Sequence, residues 1–374
     1  MRSVAKQFRT SLSVVQRWVA RAAEQPLHAV DWSGRRPGCR RSACRTELHV
    51  EEQVLMIRKY LREESALGEY GAEAIYREMV SRDLKDIPSR RTINRILGRH
   101  GAQDGRRRRR YLSPPPGWFL PDVAASRAEL DSFDIVEDLV IRGGEDVNVL
   151  TGISLHGGLC EAWPRAQITA KFTLDALVSH WRRFGLPHYA KFDNDTVFQG
   201  AHQFADAFGR VVRMCLSLAV TPVFAPAARH GFQPDIESFN RRWQEKVWHR
   251  FQFTQRSEVV TQSQRYVTAC RDRHAERIAA APPRRPFPKR WKLDLQTPLR
   301  GTIVYLRYTN EHGATSILGH TFLVSPVWCQ RLVRAETNLI EGQIRFYALR
   351  RREPQNQPLL STHDYHPPKK PFSG

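Results

Sequence analysis

A short apolar run that breaks off into acids and an amide constrains this chain more than any other stretch: Tyr189-Ala-Lys-Phe-Asp193-Asn194-Asp195-Thr196-Val-Phe198. Tyr189 to Phe192 reads as a strand, and Asp193 follows its last apolar residue at once. A carboxylate at the end of a buried strand is held on a rigid element, as a metal-dependent site requires. Asp-Asn-Asp is also ordinary turn composition, because these side chains bond their own backbone. Matching acids elsewhere in the chain decide between the two readings.

Two more acids stand in matching places. Glu129 to Val140 reads as a strand, and Asp134 lies among its apolar neighbours, a costly place for an unpaired carboxylate. Asp131 is its rival as the first acid; a period of two puts the pair on opposite faces. Glu237 lies on a long helix read over Pro234 to Phe251, on one stripe with Arg241, with Phe239 and Trp243 anchoring the other side. Between these come strands over Val147–Ser154, Leu159–Trp163 and Thr221–Phe224, and helices over Ala170–Phe184 and 202–218. A further helix covers 257–279. This alternation predicts a mixed five-stranded sheet flanked by helices. Three carboxylates in one place cannot all stay ionised without a cation. Magnesium suits oxygen ligands, and two such ions can flank a phosphate during in-line displacement.

A polyanion partner is implied independently. The formal net charge is +21 over 374 residues, which points to nucleic acid. With 41% hydrophobic residues and nine Trp, the chain has packed cores rather than a loose basic tail. No window reaches the roughly 20 apolar residues of a membrane span, so no membrane partner is expected. The start lacks the apolar core of a signal peptide. The six cysteines are scattered, which predicts a reducing cytoplasm and, with DNA as partner, association with the nucleoid. His28, Cys39, Cys44 and His49 could be drawn as a zinc site, but their spacing matches no standard ligand pattern.

The flanks divide by composition. Residues 1–45 read as a small helix-turn-helix with a linker: Val4 to Phe8 forms its first helix, and Ser13 caps the second in a capping box with Gln16, leaving Arg17 outward. Residues 46–104 form a second such unit. Its last helix, capped by Ser89, turns Ile93, Ile96 and Leu97 inward and Arg90, Arg91, Asn94 and Arg95 outward, toward phosphates and base edges. Residues 105–122 are a linker, with Arg106, Arg107, Arg108, Arg109 and Arg110 extended along a polyanion and three prolines closing it. The sheet occupies 123–281. After a Pro-rich linker, five short alternating strands over 289–352 suggest a small β-barrel. The tail, 353–374, reads as loose.

These residues resemble the insertion-sequence transposases of the retroviral integrase superfamily. Ser-Phe-Asp134, Phe-Asp193-Asn194-Asp195-Thr196-Val-Phe198 and Ile-Glu237-Ser-Phe239-Asn240-Arg241 match its Asp, Asp-Asn-Gly-Thr-Glu-Phe and Glu-Arg-Phe-Asn blocks. Gly-Glu-Tyr-Gly71 and Ile-Pro-Ser89-Arg-Arg-Thr92 match its end-binding helix-turn-helix. The resemblance spans roughly 1–352. It implies a ribonuclease H-like core, a catalytic and metal-binding triad of Asp134, Asp193 and Glu237, and two Mg²⁺ or Mn²⁺ ions. It also implies double-stranded DNA as partner, both element ends and target, and a homo-oligomer to join the ends. Arg241, Arg242 and Lys246 would then touch phosphates, and Asn194, His230 and Gln233 would be auxiliary. The chain departs from the pattern at Asp195, where Gly is usual, at Val197, where Glu is common, and in the long spacing from Asp193 to Glu237. A regulator that no longer cuts, or a nuclease that does not join, would share the same residues.

Overall fold

The computed structural model describes residues 1–30, 32–33, 46–103, 114–200, 204–226, 232–368 and 372. The expectations for Cys39, Cys44, Arg106, Arg107, Arg108, Arg109, Arg110 and His230 lie outside the described residues.

Two short helices open the chain, α1 (Arg2–Gln7) and α2 (Leu12–Ala22). The expected cap, Ser13, falls inside α2. Ser11 is the N-cap instead, because its extended backbone (φ −77°, ψ 149°) already has the conformation that position needs. No side-chain bond to the helix amides follows; the two serine hydroxyls meet each other at 2.9 Å. The next unit, α3 (Leu48–Glu63), α4 (Ala72–Ser81) and α5 (Arg90–Arg99), has its own core of Val54, Ile57, Ile75, Met79, Ile93 and Ile96. Ser89 caps α5 as expected, accepting from the Thr92 amide at 3.3 Å. Buried Glu51 ties α3 to the end of α5 through Arg99 at 2.5 Å and His100 at 2.9 Å.

After a single turn α6 (Pro121–Ala124), the sheet begins: β1 (Leu130–Val140), β2 (Asp146–Ser154) and β3 (Cys160–Arg165). Helix α7 (Ala170–Phe184) leads to β4 (Tyr189–Phe192), and α8 (Thr196–Gln199) and α9 (Arg210–Ser217) lead to β5 (Thr221–Phe224). The helix expected over 202–218 is thus limited to α9. The long helix expected over 234–251 is α10 (Pro234–Trp243) followed by a π-helical turn, Gln244–Trp248. Helices α11 (Arg256–Arg273) and α12 (Ala275–Ala279) complete this part. The five strands lie in the order β3-β2-β1-β4-β5. Strands β1, β4 and β5 are parallel and β2 is antiparallel to both neighbours, giving the expected mixed sheet.

Both faces are covered. Phe133, Phe192 and Phe224 face α7 and α9, where Trp181 is fully buried. Gly152 lies opposite Phe133, and a methyl group there would come within 2.7 Å of the ring. On the other face Val136, Val147 and Val149 pack on Ile236, Phe239 and Trp243 of α10 and on Val259 and Tyr266 of α11.

The C-terminal strands do not form the small barrel expected over 289–352. Strands β6 (Thr302–Tyr308), β7 (Ala314–Ile317), β8 (His320–Leu323), β9 (Leu332–Asn338), β10 (Gln343–Ala348) and β11 (Leu359–Asp364) follow. β6 pairs parallel with β5, and β9, β10 and β11 continue outward, so the sheet has nine strands; β7 and β8 form a separate hairpin. Alternation marked the strands but not the edge they would join. β5 leaves an open edge, and Ile303, Val304, Tyr305 and Leu306 are buried on covering it. The tail expected to be loose contains β11, and Tyr365 beyond it is buried. Among the described residues no helix is long and apolar enough to cross a membrane.

Candidate functional site

The pleat of β1 separates the two rival acids. Asp131 points to the α7 face and is fully buried. Its carboxylate accepts from Trp181 Nε1 at 3.0 Å and from both terminal nitrogens of Arg284, at 2.9 and 2.5 Å. Burial alone would raise this carboxyl; the Arg284 charge and hydrogen bonds outweigh it and hold it below the usual carboxylate range. Asp131 is therefore held in a buried ion pair, and Asp134 is the carboxylate of the two without a cationic partner among the described bonds.

Asp134 lies on the opposite face, beside α10. Its Oδ2 accepts from Asn240 Nδ2 at 2.8 Å. The Asn240 carbonyl oxygen lies 2.7 Å from Thr151 Oγ1, which is also 3.1 Å from the Asp134 main-chain oxygen. A chain of Thr151, Asn240 and Asp134 thus binds β2, α10 and β1 around the carboxylate. Burial, then the charge of Asp193, then that of Glu237 push Asp134 up to about 6, against the Asn240 bond and the Ile135 amide, which lower it. The three acids share one electrostatic neighbourhood.

Asp193 follows β4 directly. Burial raises its carboxyl, while the Asp195 amide, donating at 3.0 Å, lowers it. Asp195 stands where the resembled family usually has Gly. Its φ is −62°, and it caps α8 by accepting from the Val197 amide at 2.7 Å, so the side chain is used rather than strained. Asn194 Nδ2 donates to the Ala225 carbonyl at 2.6 Å. Glu237 is exposed in the first turn of α10, one turn before Asn240. Gln233 is the N-cap of that helix, and its Oε1 is buried with no hydrogen-bond partner.

Only carboxylate oxygens are offered here, which in type suits a hard divalent cation. Among the described residues no group of three His, Cys, Asp or Glu side chains forms a metal-ligand set. Of the residues drawn as a zinc site, His28 and His49 are described, and His49 lies 3.2 Å from Glu47; the two cysteines lie outside the described residues.

Of the expected DNA-binding residues, Arg17, Arg91, Asn94, Arg95 and Arg241 are exposed. Arg90 pairs with Glu73 at 2.5 Å and lies over the Tyr76 ring. Arg242 donates to the Ser238 carbonyl, and Lys246 lies 5.1 Å from the Tyr70 ring. Two residues of the site carried no role in the sequence reading. Asn240 was legible as the i+3 neighbour of Glu237. Lys191 was not: buried on β4, it donates to the Phe232 carbonyl at 3.0 Å, just ahead of α10. Burial lowers it to about 8, against the charges of Asp235, Glu237 and Asp134.

No family model and no curated protein sequence matches the chain. Solved structures do. The catalytic core of BIV integrase is 14% identical over 37% of this chain and 81% of that one, with a TM-score of 0.29. A simian T-cell lymphotropic virus intasome matches over 71% of this chain and 88% of its own, at 11% identity and a TM-score of 0.34. The HTLV-2 integrase core, solved with magnesium as a dimer, is 11% identical over 41% of this chain and 86% of that one, with a TM-score of 0.27. Similarity at this level assigns no role to any residue of this chain.

Proposed function

We propose that this protein cuts DNA at the ends of a mobile element and joins the freed ends to new DNA. The observation that carries this reading is the Asp134 carboxyl, pushed up to about 6 by burial and by the charges of Asp193 and Glu237, acids remote in sequence. The resemblance of the same three blocks to transposases supports it.

Asp134, Asp193 and Glu237 would hold two divalent cations, Mg²⁺ or Mn²⁺. When bound, such ions make an attacking oxygen nucleophilic and offset charge on the leaving oxygen. The protein's own part is placement. Asn240 aims the Asp134 carboxylate, and Thr151 fixes Asn240. The Asp195 amide orients Asp193. Much of the catalysis of phosphoryl transfer is such positioning and charge stabilisation. The exposed Arg17, Arg91, Arg95 and Arg241 would bind DNA backbone, with the helical units reading terminal repeats and a multimer holding two ends.

The test is a strand-transfer assay with Mg²⁺ or Mn²⁺ on DNA carrying the inverted repeats that flank the coding region. The wild-type protein should cut and join, and Asp193→Asn should bind the same DNA and not react. Wild-type binding without cleavage would overturn the reading in favour of a regulator; cleavage without joining would leave a nuclease.

A further inference from the structure

A cation from a distant part of the chain reaches the acidic turn. Arg307 lies on β6, in the outer half of the sheet, and its Nη2 donates to Asn194 Oδ1 at 2.9 Å. Its Nη1 donates to the Ala225 carbonyl at 3.1 Å and to the Leu306 carbonyl at 2.9 Å. Asn194 closes the figure by donating to the same Ala225 carbonyl. The guanidinium also lies 5.2 Å from the Tyr305 ring, and among the described residues no carboxylate forms an ion pair with it. Burial pulls its pKa below the usual value for arginine.

Even half-buried, a guanidinium without a counter-charge is costly, and an apolar side chain of similar volume would avoid that cost. What Arg307 adds is reach and shape. Its planar fork binds two segments at once, the end of β5 and the turn after β4. Besides Arg307, one bond reaches beyond the turn, Asn194 Nδ2 to the Ala225 carbonyl, which Arg307 also grips; the rest are local, Asp195 amide to Asp193 and Val197 amide to Asp195. The local bonds shape the turn, and Arg307 with Asn194 sets where it sits on the sheet.

We propose that Arg307 is a positioning residue for the site: through Asn194 it fixes the turn that carries Asp193, and so makes the C-terminal strands part of the catalytic unit. This rests on the function proposed above.

The experiment uses the full chain with Arg307→Ala. Hydrogen exchange at the Asp195 and Val197 amides should quicken by about tenfold or more, while the amides of β1 and α7 keep their wild-type protection. Cleavage should fall about 10²-fold in kcat at unchanged DNA affinity. Added guanidinium ion at millimolar levels, or Arg307→Lys, should restore part of the rate. Turn amides that exchange at the wild-type rate would overturn the proposal, as would a wild-type kcat. The exchange measurement still decides if the wild-type protein proves inactive, so failure of the functional reading is told apart from failure of this one. If Arg307→Ala does not fold, Asn194→Ala breaks the same contact from the turn, and wild-type exchange of Asp195 and Val197 in that variant would refute the proposal equally.

Discussion

Replacing Asp134 by Asn tests the electrostatics of the site while nearly preserving its shape. Burial, Asp193 and Glu237 push the Asp134 carboxyl from 3.8 to about 6. That shift is about 2 units, and at about 1.4 kcal/mol per unit the ionised form is disfavoured by on the order of 3 kcal/mol. The sign follows from linkage: a carboxyl raised by folding stabilises the protein below its unfolded pKa, and this contribution is lost as pH rises through about 6. Asn carries no charge at any pH. Its side-chain oxygen can still accept from Asn240 Nδ2, though the bond loses charge assistance, at a cost of about 1 kcal/mol. With chelator present, Asp134→Asn should therefore exceed wild type in stability by about 1–2 kcal/mol near pH 8. Near pH 5 that advantage should vanish. Urea unfolding at both pH values measures it. Raised carboxyls outside this group, such as Glu129, occur in both proteins and drop out of the difference. Adding Mg²⁺ or Mn²⁺ should then stabilise wild type and not the variant. A variant less stable than wild type near pH 8, or one whose difference from wild type ignores pH, would refute the electrostatic account of Asp134.

Two further outcomes follow from neighbouring residues. Asp131→Asn leaves Arg284 buried without its partner and should cost about 3–5 kcal/mol in urea unfolding. Because Asp131 is held below its ordinary value, the wild-type advantage should be present above about pH 4 and fade as pH falls. Arg91→Ala and Arg95→Ala, on the exposed face of α5, should each weaken DNA binding across sequences and lower the slope of log K against log salt by about 1, measured by fluorescence anisotropy. Arg90→Ala should do less, since Glu73 already holds that side chain.

What the sequence displayed of this site was its periodicity. A period of two placed Asp131 and Asp134 on opposite faces, and the strand and helix bounds around Asp193 and Ala170–Phe184 were close to those observed. It could not display which acid was already used. The deciding partner, Arg284, sits in a Pro-rich segment that reads as a linker, with no local mark tying it to β1. The same limit explains the barrel. Side-chain alternation reports that a strand is half-buried, while pairing is settled by whichever edge lies open, and here that was β5. Asp195 shows the converse error. Read only as a departure from the usual Gly, it carried no role, yet a side chain that can cap a helix favours an extended backbone.

Two cations, buried Lys191 and half-buried Arg307, bear on why the acids stand as they do. Lys191 lies beneath them, bonded to the Phe232 carbonyl at the entry to α10, and Arg307 holds the turn from β6. Each acts on a different carrier, Lys191 on the helix with Glu237 and Arg307 on the loop with Asp193. Without a divalent ion, three carboxylates repel, and the lowest-energy arrangement keeps them apart. Asp193 and Glu237 lie near enough to raise Asp134. Positive charge at Lys191 and Arg307 would oppose such repulsion between the carriers. A search for acids alone therefore finds the proposed metal-binding half of the site and misses the cations bonded to the segments that carry it.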